Sequence, residues 1–412
     1  MRPPGVDWPA GSPRVLVGDG WLVNAGDAAI ALAVDQLVRS VWPAAAVLHA
    51  SYHADLVADA LPELAFVPPL DALLVVDGAD PMPDGWTSAD GERLVRDADI
   101  VVSQGGGFLL EHYEPWPRLF AHVRVVDLGV PFVILGQTIG AFRAARARAL
   151  LRRSLGAAAA VTLRDAPSVA HAIELGADPA RVSRTSDLSM LLFPDPPVSP
   201  GGRGREGVAV VLTTHEQQAP GDDLDRARLS ARVLGDVLDQ TGDERVTVLS
   251  TAQGLGSRGF EDDGEVATAA VAALEPGQRR RVDVIDGFIG PRGAIEVLAR
   301  HRAVVTQRLH PALFALSQGV PTAVLVDADK VGALDGVDLG PARCARPDDA
   351  AARVAALTAA LAPDATRGAD LWASLAPARA AAACNRDVLA EVLKGERAAA
   401  GSGRDRKRTP AS

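Results

Sequence analysis

The sequence predicts an α/β protein built as two parallel-sheet halves facing a cleft. Three observations predict it. Short apolar, β-branched runs recur, and they are continuous instead of alternating, as strands buried on both faces of a parallel sheet are. Each run ends in a glycine or polar turn followed by a helical stretch. One Pro/Gly-rich segment, FPDPPVSPGGRGREG at Phe193–Gly207, divides this alternation into two parts of similar size. The length agrees, since 412 residues is enough for two domains at ~100–200 residues each.

In the first half, strands are predicted at Arg14–Gly18, Ala46–Ala50, Ala72–Val76, Ile100–Ser103, Phe132–Leu135 and Ala160–Arg164. Helices fall between them, among them Ala28–Val41 and Arg143–Leu155. After the hinge, strands are predicted at Val208–Thr213, Val246–Ser250, Val282–Ile285, Ala303–Thr306 and Thr322–Val326. The intervening helices are Asp222–Gln240, Asp263–Leu274, Pro291–Arg300 and Pro311–Gln318. The expected division is therefore a domain over 1–195, a second over 207–368, one Ala-rich helix over 369–395, and a disordered tail over 396–412 containing the RDRKR run.

Composition narrows the function. Hydrophobic residues make up 48% and charged residues 23%, which is ordinary for a globular core and excludes a disordered chain. The net charge of −10 argues against a nucleic-acid partner, whose footprint is usually basic. A few arginines in one pocket can still reverse the local field for an anionic substrate. The two cysteines, Cys344 and Cys384, form no CxxC pair, so neither a zinc site nor a disulfide framework is expected. The cytoplasm is the expected compartment, with a peripheral place at the inner face of the membrane as the alternative. The first residues show no apolar signal region, and no run is long enough to cross a membrane.

In open parallel sheets, ligands sit beyond the carboxyl ends of the strands. Five stretches there carry usable chemistry. VLVGDGWLVNAGDAAI (Val15–Ile30) runs from a strand through a glycine loop into a helix, with Asn24 in the loop and Asp27 as the expected cap. DIVVSQGGGFL (Asp99–Leu109) places Gly105, Gly106 and Gly107 where a backbone can approach a ligand, with Glu111 and His112 just after. PFVILGQTIGAF (Pro131–Phe142) sets Gln137 at a strand end, and VTLRDAPSV (Val161–Val169) sets Arg164 there with Asp165 as a helix cap. Arginine at such a position suits a carboxylate or phosphate, which its fork binds bidentately. A local ion pair is the competing reading. The sharpest stretch is AVVTQRLHPALFALSQGVPTAVLVDADK (Ala303–Lys330). A buried strand opens there into Arg308, Leu309 and His310 at a helix start, pairing a cation with a titratable imidazole. A capping histidine beside a surface arginine is the plainer alternative.

The order of these pieces resembles the polysaccharide pyruvyl transferase family. NAGDAAI, SQGGGFL, GQTIGAF, TLRDAPS, TSDLSML, the AQG stretch with Glu261–Asp262–Asp263, RLHPALFALSQGVP and VDADK recur in that order, over Arg14 to Leu334. The resemblance implies a glycosyltransferase-B-like fold of two Rossmann-like domains, with a C-terminal helix packing back on the first. It implies phosphoenolpyruvate as co-substrate, a sugar or glycan as acceptor, and no further cofactor or metal. The product would be a pyruvate ketal, formed in cell-surface polysaccharide synthesis. Carried over by position, Arg164, Arg308, Leu309 and His310 would hold the donor, helped by Gln137. Arg308 and His310 would be catalytic, with His310 as imidazolium protonating the donor's methylene carbon. Asn24, Asp27, Gly106, Gly107, Glu111 and His112 would face the acceptor. Ala141 stands where family members often carry proline, and Trp21 makes the first loop bulky.

Three other readings share the architecture: a nucleotide-sugar-dependent glycosyltransferase, pyruvyl transfer to a small natural product, and a non-catalytic carbohydrate-binding protein. The first would carry a ribose-binding Glu a few residues beyond the histidine, and the stretch HPALFALSQGVP has none.

Overall fold

The computed structural model describes all residues except 1–7, 10, 76–84, 114, 194–203, 214–222, 255–261, 327–333, 335–338, 340–341, 345, 363–366 and 402–412. Two parallel sheets organise it. The first contains β1 (Arg14–Gly18), β2 (Ala46–Ala50), β3 (Phe66–Val67), β4 (Ile100–Ser103), β5 (Gly106–Leu109), β6 (Phe132–Ile139), β7 (Ala160–Leu163) and β8 (Val182–Arg184). Its order is β3-β2-β1-β4-β6-β7-β8, with β5 also paired to β6. The second contains β9 (Val208–Val211), β10 (Val246–Leu249), β11 (Val282–Ile285), β12 (Ala303–Thr306) and β13 (Thr322–Val324), in the order β11-β10-β9-β12-β13. Each sheet reverses its winding once, between β1 and β4 and between β9 and β12, and ligand loops gather at such points.

The continuous apolar runs are buried as expected: β4, β7, β9 and β12 have no exposed residue. Helices cover both faces of the sheets, which is what lets such strands avoid water on either side. The run at Ala72–Val76 is a correction. Leu70–Leu73 is a short helix, and the strand beside β2 is instead Phe66–Val67. The glycine turn also differs, since Gly106–Leu109 pairs in parallel with β6 as an eighth strand. The first helix starts at Ala25 with Asn24 as its cap, so Asp27 lies inside the first turn. Asp165 caps the helix Ala166–Glu174, accepting from the Ser168 amide at 2.8 Å.

The halves are joined through this first helix. Asn24 bridges Ala252, the Ala25 amide donates to the Thr251 carbonyl at 2.8 Å, and the Gln253 amide donates to the Val23 carbonyl at 3.0 Å. Ala25 and Ala29 pack among Leu309, Leu313 and Phe314 of the second half, while Ile30, Val34 and Leu37 pack under β1. One helix thus serves two cores. The C-terminal segment is three helices, Arg367–Ser374, Ala376–Ala383 and Asn385–Gly401, where the sequence suggested one. The last continues past residue 396, so the tail begins later than expected. It packs back on the first half: Leu389 and Leu393 join the core under β1, and Asn385 Oδ1 accepts from Thr162 Oγ1. Most of the expected hinge, residues 194–203, lies outside the described residues, as do Glu261 and residues 327–330.

Candidate active site

The loop after β1 is held by a buried carboxylate. Asp19 adopts a left-handed φ of 80°, accepts from Ser103 Oγ, and meets His122 Nε2 at 2.7 Å and Arg118 Nε at 3.3 Å. Burial alone would raise its pKa, but His122 and Arg118 hold it below the usual carboxylate value. This anchors the turn that delivers Trp21 and Asn24. Trp21 Nε1 donates to the Gln253 carbonyl across the halves at 3.1 Å. Below it, Gln137 Nε2 donates to the Gln104 carbonyl, and Gln104 Nε2 donates to the Asp27 carbonyl at 3.2 Å. Gln137 is therefore a fully buried strut.

Four predicted residues and their surroundings converge at the junction of the halves. Arg164 follows β7. Its Nε donates to Thr138 Oγ1 at 2.7 Å and its Nη1 to Asp187 Oδ2 at 2.6 Å. His310, from the opposite half, brings Nε2 to 3.4 Å from the same Asp187 oxygen without hydrogen-bond geometry, and among the described residues that nitrogen has no other partner. Asp187 Oδ1 accepts from the Ser189 amide at 3.0 Å and its hydroxyl at 2.6 Å. Burial opposes the charge on Asp187, yet His310 and Arg164 drive its pKa far below the ordinary range, so it stays an anion. Asp27 lies in the same field with the opposite outcome. Burial raises its pKa from 3.8 to about 7, despite attraction from His310, Arg164 and Arg118. Gly26 explains how His310 fits. A Cβ there would lie 2.0 Å from His310 Nδ1, so the ring packs on bare helix backbone.

Arg308 occupies the neighbouring corner. It precedes the helix Leu309–Ser317 as its cap residue, and its amide donates to Thr306 Oγ1 at 2.9 Å. Its Nε donates to Asp263 Oδ1 at 2.8 Å. The other oxygen of Asp263 accepts from the Thr251 and Ala252 amides, each at 3.0 Å. Arg308 and His310 straddle Leu309 and meet different carboxylates, one from each half. Leu309 itself faces the second core.

The structure thus brings Arg164, His310 and Asp27 together beside Asn24, with Arg308 next to them. Gly107 belongs to the same wall, since a Cβ there would lie 3.7 Å from Arg164 Nη2. Gly106 holds φ 142°, with the Phe108 ring folded against it. Glu111 does something else: it accepts from the Arg143 and Ala144 amides at 2.9 and 2.7 Å, capping the helix Ala145–Ala157. His112 sits in the short helical turn Glu111–Tyr113, and its side chain lies outside the described residues. Sequence reasoning missed Asp187, Asp263, Asp19 and Arg118. Asp187 and Asp263 were visible only as members of TSDLSML and EDD, whose carboxylates read equally well as helix caps. Among the described residues, no group of three or more His, Cys, Asp or Glu is arranged to hold a metal ion. No helix there is long and apolar enough to cross a membrane.

Two parallel sheets packed through one shared helix, with polar residues collected at both winding reversals, define a glycosyltransferase-B-like α/β protein. The chain belongs to the polysaccharide pyruvyl transferase family, whose model matches residues 24–327. That range contains every site residue described here except Asp19 and Trp21. No curated protein matches significantly. Among solved structures, the chain is similar to HepE from Anabaena in complex with UDP-glucose, with a TM-score of 0.56 at 14% identity over 94% of this chain and 99% of that one. It is similar to UDP-GlcNAc 2-epimerase from Neisseria meningitidis bound to UDP-GlcNAc, with a TM-score of 0.55 at 9% identity over 93% and 100%. It is also similar to a putative UDP-N-acetylglucosamine 2-epimerase from Listeria monocytogenes, with a TM-score of 0.54 at 13% identity over 98% and 100%. At such identities the likeness concerns the fold.

Proposed function

We propose that the protein transfers the pyruvate of phosphoenolpyruvate onto two hydroxyls of a sugar as a ketal, releasing phosphate. The observation that carries this reading is the junction itself. An imidazole with an unpartnered Nε2 lies beside Arg164, with Asp27 next to it. Phosphoenolpyruvate carries nearly three negative charges, and Arg164 and Arg308 supply two guanidinium groups on separate supports. Asp187 and Asp263 hold those groups in place, so little ordering remains when the donor binds. The donor belongs on the second half with Arg164 reaching across, and the acceptor belongs on the first half.

His310, as imidazolium, gives a proton to the methylene carbon, and positive charge develops at C2. Asp187 stabilises that imidazolium. A sugar hydroxyl adds to C2 and loses its proton to Asp27, whose pKa of about 7 suits a general base near neutrality. The C2–O bond to phosphate breaks, a second hydroxyl closes the ketal, and its proton leaves with the phosphate. The scheme uses phosphoenolpyruvate as co-substrate and no resident cofactor. We place the reaction in the cytoplasm, in the assembly of a surface polysaccharide.

Calorimetry tests this reading, with phosphoenolpyruvate titrated beside UDP- and GDP-sugars on wild type and Arg308→Ala. Selective phosphoenolpyruvate binding that Arg308→Ala abolishes is the expected result, with His310→Ala keeping most of the binding and losing phosphate release. Binding of a nucleotide sugar alone would replace pyruvyl transfer with glycosyl transfer. Full activity of His310→Ala would remove its role as proton donor.

A further inference from the structure

Arg118 stands outside the donor machinery, and its surroundings leave both Nη groups of its guanidinium unused. It comes from the helix Trp116–Asp127, which packs beside the glycine turn. Its Cζ lies 4.8 Å above the Phe108 ring, and Phe108 is the side chain folded against Gly106. Its Nε faces Asp19 at 3.3 Å, and its side chain is 14% exposed. Among the described residues, its two Nη atoms have no hydrogen-bond partner.

Neutralising Asp19 does not account for this residue. Asp19 already has His122 at 2.7 Å and the Ser103 hydroxyl. None of the Arg118 nitrogens is among the buried side-chain atoms that lack a partner, so the unpaired Nη edge is open to water and to a ligand. Stacking on Phe108 fixes the plane and leaves the Nη edge as a ready fork. A short chain of contacts links Arg118 to Asp27: Asp19, which Arg118 faces, accepts from Ser103, and the next residue, Gln104, donates to the Asp27 carbonyl at 3.2 Å.

We propose that Arg118 binds an anionic group, carboxylate or phosphate, on the acceptor saccharide, and so makes the enzyme selective for a charged acceptor. The proposal rests on the pyruvyl-transfer reading, in which Asp27 receives the acceptor's hydroxyl proton. A planar fork matches a carboxylate or phosphate bidentately, which a neutral sugar cannot offer. With its charge held by Arg118, the saccharide would present its hydroxyls to Asp27.

The test titrates glucose, glucuronate and glucose 1-phosphate into wild type, Arg118→Ala and Arg118→Lys, with phosphoenolpyruvate titrated in parallel. We expect glucuronate or glucose 1-phosphate to bind at least tenfold tighter than glucose, and the stronger of the two names the group. Arg118→Ala loses that preference, while phosphoenolpyruvate affinity stays within twofold of wild type. An anion held instead by Arg164 and Arg308 would be indifferent to Arg118→Ala, which separates the two sites. Arg118→Lys keeps the charge beside Asp19 but not the fork, so it gives an intermediate loss even if the alanine variant does not fold. Wild-type-like binding of the charged sugars by either variant overturns the proposal, as does glucose binding as tightly as they do, or no binding of either charged sugar. Loss of phosphoenolpyruvate binding in the wild type is a different failure, and it strikes the reaction instead of Arg118.

Discussion

Gly26 and His310 should behave as one energetic unit although they come from opposite halves. Gly26 lies in the first turn of a helix, where replacement by alanine ordinarily stabilises by about 0.5–1 kcal/mol. Here the new Cβ would stand 2.0 Å from His310 Nδ1, 2.3 Å from its Cγ and 2.8 Å from its Cβ. None of these separations is tolerable, and the nearest atoms are part of a stiff ring next to buried Asp187. Forcing apart a packed contact costs about 1–3 kcal/mol. Gly26→Ala should therefore destabilise the protein and displace the imidazole from Asp187. His310→Gly removes all three clashing atoms. In that background Gly26→Ala should recover its helical benefit and become stabilising, a coupling of roughly 1.5–4 kcal/mol. Urea denaturation of the four proteins at constant m reads this directly. Equal effects of Gly26→Ala in the two backgrounds would refute the packing argument, and with it the account of how His310 is positioned.

Asp27→Asn should stabilise the protein increasingly with pH. The folded pKa of Asp27 is about 7, against the ordinary aspartate value of 3.8. The stability linked to its proton is fully present below the unfolded pKa and is lost as pH rises through about 7. By pH 8 the buried charge costs roughly 4 kcal/mol, which asparagine avoids; equal gaps between variant and wild type at pH 5 and pH 8 would contradict this. Asp187→Asn runs the other way. Its folded pKa is depressed by His310 and Arg164, so the ionised carboxylate contributes stability above the ordinary carboxylate pKa, lost as pH falls through the folded value. Removing it strands Arg164 and should cost about 3–5 kcal/mol at neutral pH by denaturant midpoint. Glu111→Ala should cost about 1 kcal/mol, as loss of a helix cap does, and leave turnover unchanged; a selective rise in acceptor KM would return Glu111 to the acceptor site.

The strands were largely legible because a parallel sheet covered on both faces leaves a simple trace: a continuous apolar run ending in a turn. The same rule explains the failure at Ala72–Val76. ALLVV is apolar throughout, and so short an apolar run satisfies helix and strand alike. β5 was hidden for the opposite reason, since GGFL reads as a turn and pairs only because β6 runs on to Ile139 beside it. The break of the C-terminal segment into three helices leaves little trace in an alanine-rich run.

The site was legible where the chemistry stands in one short stretch, as in RLH and LRD, and illegible where it depends on a residue from elsewhere. Asp187 reads locally as a cap, and it does cap, with one oxygen on Ser189. Its other oxygen joins an arginine of one half to a histidine of the other, and nothing in TSDLSML announces that. Gly26 is the same case with the sign reversed. As part of a glycine loop it suggests backbone approaching a ligand, whereas its role is to have no side chain where His310 must lie. The first helix packs into both cores, so the placing of His310 and the joining of the halves are one contact. The imidazole can reach Asp187 only when that helix is seated against the second half. Any rearrangement of the halves would therefore act first on the distance between the proton donor and the carboxylate that holds it.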